Sequence, residues 1–337
     1  MTPVRHSLAV ACIAILAMPP GLRAEPGRYE LKDGKWTAAV VPKEGTAAGE
    51  AALIRQHVEL GQPRKALKAA KKFLKRYSDD KAREEVLLLA GLASIDRGRL
   101  YKAFEWFEQQ LSEFPAGQYS AQALEKDYEI AEQFLGGRKR VVAGIFRLPA
   151  REEGLSILTR ITEHAPGSVL AQKAMLRIAD DYYTRGEWPE AVDAYDHYVK
   201  SFRRTGEVQF ASLRAARAMY ASFKGVAYDD TPLIDAQQRF RSFAAAYPAA
   251  ARKANVSVTL KEIEGLRAEK VFRTARFYER TGRHSAAVFS YRQIVDAYPS
   301  TDLAEPARDA LVRLGATPAG ELPVRHEATT RQIRVEQ

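Results

Sequence analysis

Residues 175–203 read MLRIADDYYTRGEWPEAVDAYDHYVKSFR, and this stretch decides the fold class. Apolar side chains recur three and four positions apart on both sides of Gly186, which predicts two amphipathic helices. Glycine suits the turn between them because it adopts a left-handed backbone at little cost. Ala191 allows the second helix to approach the first closely, and Phe202 marks the end of that helix. The stretch therefore predicts a pair of antiparallel helices.

The same pattern recurs along the chain. The small residue of each second helix stands at Ala66, Ala103, Gly154, Ala191, Ala236 and Ala287. Each is followed one helix later by a helix-ending pair such as Tyr247-Pro248. Four copies also have a glycine five residues before the small residue, at Gly61, Gly98, Gly186 and Gly282. Self-similarity of this kind is typical of solenoids, in which each repeat buries its apolar face against its neighbours.

The Gly, Ala, aromatic and Pro positions of this repeat resemble the tetratricopeptide family. The resemblance implies an all-α, tetratricopeptide-like α-solenoid of about six helix pairs over residues 48–315, forming a right-handed superhelix. In the last copy, we expect the partner helix to turn Phe289, Tyr291, Ile294 and Val295 toward the core.

Two copies are interrupted by insertions. Residues 136–149 add a basic triplet, Arg138-Lys139-Arg140, followed by an apolar run from Val141 to Leu148. Residues 224–232 add a second, shorter segment that ends at a proline. Such insertions usually project from one side of a solenoid, often the side used for binding.

The first 24 residues are predicted to be a secretory signal. Their apolar run from Leu8 to Met18 is too short to span a bilayer as a stable helix. We favour cleavage after Ala24 over a lipid anchor at Cys12, because a strong apolar run follows that cysteine. Cys12 is the only cysteine, so the cleaved chain would have neither a disulfide nor a thiolate metal ligand.

Two terminal segments differ from the repeats. Residues 25–47 alternate around Asp33-Gly34, which predicts a short N-terminal hairpin or extension. Residues 316–337 are polar and basic with two prolines, which predicts a disordered tail.

The chain is basic, with a formal net charge of +10. Such a surplus attracts anionic surfaces, and an exported protein meets phospholipid and acidic proteins rather than nucleic acid. We interpret the basic clusters first as a solvated helix face, and the alternative is contact with an anionic membrane surface or an acidic partner. The candidate basic surface patch comprises Lys68, Lys71, Lys72, Lys75, Arg138, Lys139 and Arg140.

Motifs of catalysis and cofactor binding are missing from the sequence. It contains no Gly-x-Gly-x-x-Gly run, no phosphate-binding Gly-Lys-Ser/Thr loop, no Gly-x-Ser-x-Gly elbow and no His-Glu-x-x-His helix. Acidic pairs such as Asp180-Asp181 are interpreted as solvated faces and caps, because adjacent helical residues point about 100° apart. We therefore predict no enzymatic activity, no cofactor, no metal and no small-molecule substrate.

Within the repeat family, the chain more narrowly resembles the outer-membrane assembly lipoproteins, the BamD-like proteins, over roughly residues 50–315. The resemblance rests on the stretch from Leu176 to Gly186, on the repeat that begins Thr231-Pro232, and on the stretch from Ala275 to Gly282. It implies a non-catalytic periplasmic scaffold, peripheral at the outer membrane, that serves the assembly and insertion of β-barrel proteins. The implied partners are barrel insertase components and unfolded outer-membrane proteins. The chain departs from the family at the anchor, because Cys12 is poorly placed, and in the 136–149 insertion.

Partner contacts in tetratricopeptide arrays usually come from the first helix of each pair, on the concave side. By phase with the repeat, the candidate protein-binding residues are Arg55, Leu92, Asp180, Tyr183, Phe272, Arg276 and Glu279. Two alternatives stay open. One is another cell-envelope adaptor, for cell-wall remodelling or polysaccharide export. The other is a hydrolase site in the 136–149 insertion, although that segment offers no Ser, Cys, His, Asp or Glu.

Overall fold

The computed structural model describes residues 29–32, 35–38, 45–142 and 145–316. The predicted signal at 1–24, the turn at Asp33-Gly34 and the tail from residue 317 lie outside these ranges. The described chain divides into two compact units, with the boundary between Asp96 and Arg97.

Unit 1 contains a two-stranded hairpin and three helices. The strands β1 (Tyr29–Lys32) and β2 (Lys35–Ala38) pair antiparallel, as the sequence predicted. The helices α1 (Ala47–Glu59), α2 (Pro63–Arg76) and α3 (Arg83–Asp96) pack on one another. Their shared core includes Ile54, Phe73 and Leu87, all fully buried.

Unit 2 contains eleven helices within the described ranges. They are α4 (Leu100–Glu113), α5 (Ser120–Leu135), α6 (Arg151–His164), α7 (Val169–Arg185), α8 (Trp188–Ser201), α9 (Glu207–Ala221), α10 (Thr231–Ala246), α11 (Pro248–Lys253), α12 (Val256–Arg280), α13 (His284–Ala297) and α14 (Ala304–Arg313). Each packs mainly on the helices next to it in the chain. Packing between successive elements is the signature of a solenoid. The predicted all-α, tetratricopeptide-like fold class is confirmed.

The repeat residues take the places that the sequence assigned to them. Gly61, Gly98, Gly186 and Gly282 each follow a helix and have φ values of 63°, 68°, 73° and 72°. These angles lie in the left-handed region that favours glycine. The six small residues of the repeat are all buried. At Gly154, an added Cβ would lie only 3.1 Å from the Leu135 side chain and 3.2 Å from the Ala131 carbonyl oxygen.

The helix-ending positions also match in all six copies. Tyr77, Phe114, Ala165, Phe202, Tyr247 and Tyr298 are the C-terminal caps of α2, α4, α6, α8, α10 and α13. Each cap amide donates a hydrogen bond to the carbonyl four residues earlier. The same short sequence signal therefore ends each of these helices.

Three features differ from expectation. Phe289 was predicted to face the core, but its side chain is 72% exposed, whereas Tyr291, Ile294 and Val295 are buried. The 136–149 insertion forms two short antiparallel strands, β3 (Arg140–Val142) and β4 (Phe146–Leu148). Asp181 is not a solvated residue, because it is buried and ion-paired to Arg151 at 2.5 Å. That ion pair joins α6 to α7.

Candidate protein-binding surface

The helix pair α7–α8 places an acid and an aromatic residue on one face. Ser168 caps the start of α7 by accepting a hydrogen bond from the Ala171 amide at 3.0 Å, and Gly186 ends the helix. Asp180 and Tyr183 are three residues apart, so they lie on the same face of α7. The following helix brings Tyr195 against both of them.

We call this group the Tyr195 cluster: Asp180, Tyr183, Trp188, Tyr195, Phe210 and Arg214. The buried Tyr195 hydroxyl donates a hydrogen bond to Asp180 Oδ1. The Tyr183 ring meets the rings of Trp188 and Tyr195 edge-on, with centroids 5.4 and 6.3 Å apart. Burial, followed by the hydrogen bond to Asp180, raises the pKa of Tyr195, so its phenol keeps its proton and its donor role well into the alkaline range.

Arg214 adds a cation to this cluster from α9. Its guanidinium carbon lies 4.5 Å from the ring centroid of Tyr183 and 5.1 Å from that of Phe210. These distances are typical of cation–π contacts. Phe210 remains 42% exposed. The cluster thus presents an arginine held between two aromatic rings at the surface of unit 2.

A second group of aromatic and charged residues, on α12, α13 and α14, resembles the Tyr195 cluster. We call it the Tyr291 cluster: Phe272, Arg276, Glu279, Arg280, Tyr291 and Arg313. The Tyr291 hydroxyl donates to Glu279 Oε2 at 2.6 Å, and the Phe272 ring meets the Tyr291 ring edge-on at 5.5 Å. The six residues line a cavity of about 430 Å³.

The charges of the Tyr291 cluster are unequal. Arg276, Arg280 and Arg313 surround one carboxylate, Glu279, which accepts a 3.4 Å hydrogen bond from Arg313 Nη2. The hydrogen bond from Tyr291 lowers the pKa of Glu279, and the nearby arginines lower it further. With Glu279 ionised, two of the three arginine charges remain uncompensated. This cavity therefore suits an anionic group on a binding partner.

The predicted binding residues fall into three places. Asp180 and Tyr183 lie in the Tyr195 cluster, and Phe272, Arg276 and Glu279 lie in the Tyr291 cluster. Arg55 and Leu92 belong to unit 1. There Arg55 donates two hydrogen bonds to Glu85, at 2.6 and 2.8 Å, and Leu92 is half-buried on α3.

The predicted basic patch divides between the units. Lys68, Lys71, Lys72 and Lys75 are exposed within an arc of about 100° on α2. Arg138 and Lys139 are exposed in unit 2, whereas Arg140 is half-buried. Arg140 donates to Glu153 at 2.9 Å and stacks on the Tyr101 ring at 3.5 Å.

Several residues of these surfaces were not identified from the sequence. Phe210 and Arg214 come from α9, Tyr291 from α13 and Arg313 from α14, and the sequence prediction included none of these positions. A groove of about 600 Å³ between α8 and α10, beside the bidentate Arg239–Asp196 ion pair at 2.8 Å, was also not predicted. The aromatic spacing around Tyr195 was the one available signal, and it was interpreted as core.

The described ranges contain neither a membrane-spanning helix nor a cluster of metal-ligating side chains. No helix there is long and apolar enough to cross a bilayer. No group of three or more His, Cys, Asp or Glu side chains in the same ranges could hold a metal ion.

A family model described as YfiO, an outer membrane lipoprotein, matches residues 151–316, just under half of the chain. The matched segment lies within unit 2 and contains every residue of both clusters. No curated protein matches the sequence.

Solved tetratricopeptide structures are similar at low identity. The C-terminal part of a repeat protein from Cytophaga hutchinsonii is 14% identical, over 80% of this chain and 89% of that one, with a TM-score of 0.33. A repeat protein from Parabacteroides merdae is 11% identical, over 80% and 98%, with a TM-score of 0.32. The type IV pilus biogenesis factor PilW is 18% identical, over 78% and 99%, with a TM-score of 0.27. The fold class rests on the helix packing and not on these scores.

Proposed function

We propose that the protein is a non-catalytic periplasmic scaffold, similar to BamD, that binds other proteins during assembly and insertion of β-barrel proteins into the outer membrane. The observation that carries the proposal is the family match over residues 151–316, because it covers both aromatic and arginine clusters. Those clusters supply the side chains that a binding surface needs.

The clusters have the composition of protein interfaces. Tyrosine, tryptophan and arginine are enriched at the energetic centres of such interfaces, because they combine a large apolar surface with directional donors. Phe210 is exposed and Arg214 is half-buried beside it. An extended polypeptide could therefore pack on Phe210 and place a carboxylate or carbonyl against Arg214.

The partners in this proposal are barrel insertase components and unfolded outer-membrane proteins. In this proposal, the predicted signal exports the chain to the periplasm, where it is peripheral at the outer membrane. The exposed lysine face of α2 suits contact with an anionic membrane or an acidic partner, since four cations lie side by side there.

Affinity purification from envelope fractions tests the proposal. The tagged chain is expected to recover barrel insertase components, and Phe210→Ala with Arg214→Ala is expected to reduce that recovery. Phe289→Ala is the matched control, because Phe289 is exposed in the same unit but outside both clusters. Recovery of no insertase component would refute the proposal. Recovery of cell-wall or polysaccharide-export proteins instead would favour the alternative envelope adaptor.

A depletion experiment separates the two functions independently. Loss of the protein is expected to lower the amount of folded barrel proteins in the outer membrane. Normal barrel levels in the deleted strain would contradict a role in barrel assembly.

A further inference from the structure

The inserted hairpin β3–β4 leaves large parts of several apolar side chains exposed. The exposed fractions are 42% for Val141, 76% for Ile145, 60% for Phe146 and 51% for Leu148. Isolated exposed apolar residues are ordinary, but four within one short hairpin indicate an interaction site.

The hairpin is fastened to unit 2 along one strand only. β3 packs on α4, where Arg140 stacks on Tyr101 and donates to Glu153 of α6. All three residues of β4 are exposed. In the strand register Arg140 is opposite Leu148 and Val142 is opposite Phe146, so these four share one face of the ribbon. β3 thus fastens the hairpin to unit 2, while Phe146 and Leu148 of β4, and Ile145 just before it, are the more exposed apolar residues.

The charge around these apolar residues has one sign. Residues 136–149 contain four cations, Arg138, Lys139, Arg140 and Arg147, and no acid. Arg138 donates to the neutral Gln133 at 2.8 Å and makes no ion pair with the part of the chain that the structure describes. Lys139 and Arg147 make no ion pair within the described residues.

A basic cleft lies at the base of the hairpin. It measures about 480 Å³ and is lined in part by Arg99, Lys102, Lys139 and Arg140. Its acidic residue, Glu105, is already paired with Lys102 at 2.6 Å. The cleft is therefore positive, and β3 of the hairpin forms part of its wall.

We propose that the β3–β4 hairpin docks on the surface of an anionic phospholipid bilayer. Ile145, Phe146 and Leu148 enter the boundary between headgroups and acyl chains, while Arg138, Lys139 and the basic cleft contact the phosphates. Apolar side chains flanked by cations are the pattern that binds anionic membrane interfaces. The inference rests on the proposed function only for its location in the envelope, where phospholipid is present.

The charge distribution favours lipid over a protein strand. A polypeptide could add to the free edge of β4, but a three-residue strand offers few main-chain hydrogen bonds for such pairing. Arg138, Lys139 and Arg147 have no acidic partner among the described residues, and three such cations instead match a surface of repeated phosphate groups. A response of the hairpin to an unfolded polypeptide, but not to vesicles, would indicate strand addition instead.

An environment-sensitive fluorophore at residue 145 reports on the hairpin alone. The full chain carries Cys12→Ser, which removes its single cysteine, and Ile145→Cys, which is then labelled with nitrobenzoxadiazole. On addition of vesicles with equal amounts of phosphatidylglycerol and phosphatidylcholine, the emission is expected to brighten and shift to the blue. Vesicles of phosphatidylcholine alone are expected to give a much smaller response. The same label at Phe289→Cys is the matched control and should not respond.

Charge variants test the phosphate contacts. Arg138→Gln with Lys139→Gln is expected to weaken the vesicle titration at residue 145 by about thirtyfold, since each cation near an anionic surface contributes about fivefold. Arg252→Gln with Lys253→Gln removes an exposed basic pair elsewhere in unit 2 and should leave the titration unchanged.

Three results would overturn the proposal: no response at residue 145 to anionic vesicles, an equal response to neutral vesicles, or a response only to an unfolded barrel polypeptide. Because the readout is local, binding of vesicles through α2 or the N-terminus cannot produce a positive result. Recovery of insertase components is a separate measurement, so failure of the scaffold function and failure of hairpin docking are distinguishable.

Discussion

Asp127 on α5 provides a pH-dependent test of how unit 2 is packed. Its side chain is buried, and Oδ1 has no hydrogen-bond partner in the described chain. Burial raises the pKa of this carboxyl well above its ordinary value of 3.8, and the nearby Glu108 raises it further. The folded protein therefore holds a proton on Asp127 that the unfolded chain releases as the pH rises.

The sign of the effect follows from this difference. The stabilising contribution of Asp127 is fully present below about pH 3.8 and is lost as the pH rises toward the folded-state pKa. Between those two pH values the free energy of unfolding falls by about 1.4 kcal/mol per pH unit. Asp127→Asn keeps the shape of the side chain and removes the titration, so this loss disappears in the variant.

Urea unfolding at a series of pH values, followed by circular dichroism, measures the effect. The free energy of unfolding of Asp127→Asn minus that of the wild type is expected to rise by about 1.4 kcal/mol per pH unit from about pH 4, then to level off. Asp309→Asn, at an exposed carboxyl on α14, should give a flat difference. A flat or falling difference for Asp127→Asn would refute the reasoning, because the carboxyl would then be ionised in the folded protein.

Three further substitutions test the repeat and its clusters by urea unfolding. Gly186→Ala is expected to lower the free energy of unfolding by about 1 kcal/mol. The cost comes from the left-handed backbone, where φ is 73°, and not from a clash, because the nearest side-chain atom is 3.5 Å from the new methyl. Gly206→Ala, where φ is negative and nothing lies within 4 Å of the new methyl, should be nearly neutral; equal effects at the two sites would contradict the turn assignment. Tyr195→Phe should cost about 2 kcal/mol, since Asp180 loses its donor, and an unchanged stability would show that the hydrogen bond has no net worth. Asp181→Ala should cost about 3–5 kcal/mol by leaving Arg151 without its buried partner, and a loss below about 1 kcal/mol would mean that Glu187 alone compensates it.

The repeat was predictable because its residues act locally. A glycine such as Gly186 is required by its own backbone angle, and a small residue such as Ala191 is required by one neighbouring helix. Caps such as Tyr247 end a helix through hydrogen bonds within five residues. Each of these constraints restricts the residue type at a position that recurs with each repeat of the sequence.

The binding surface was predictable only in part. Helical phase placed Asp180, Tyr183 and Glu279 on the first helices, and the structure brings them into the two clusters. Helical phase could not identify Arg214 or Arg313, because these residues belong to other helices and reach the clusters only through tertiary packing. Periodicity also misplaced Phe289, since the outer edge of an apolar stripe can face either solvent or core.

The sequence by itself determined the helix pairs, their turns and their ends, because backbone angles and close helix contacts restrict residue type at each position. It also determined the absence of acid from the 136–149 insertion. Tertiary structure decided which side chains from separate helices meet, such as Arg214 with Tyr183, and which apolar residues remain outside, such as Phe146. Both depend on where distant segments pack, and local sequence patterns do not encode that geometry.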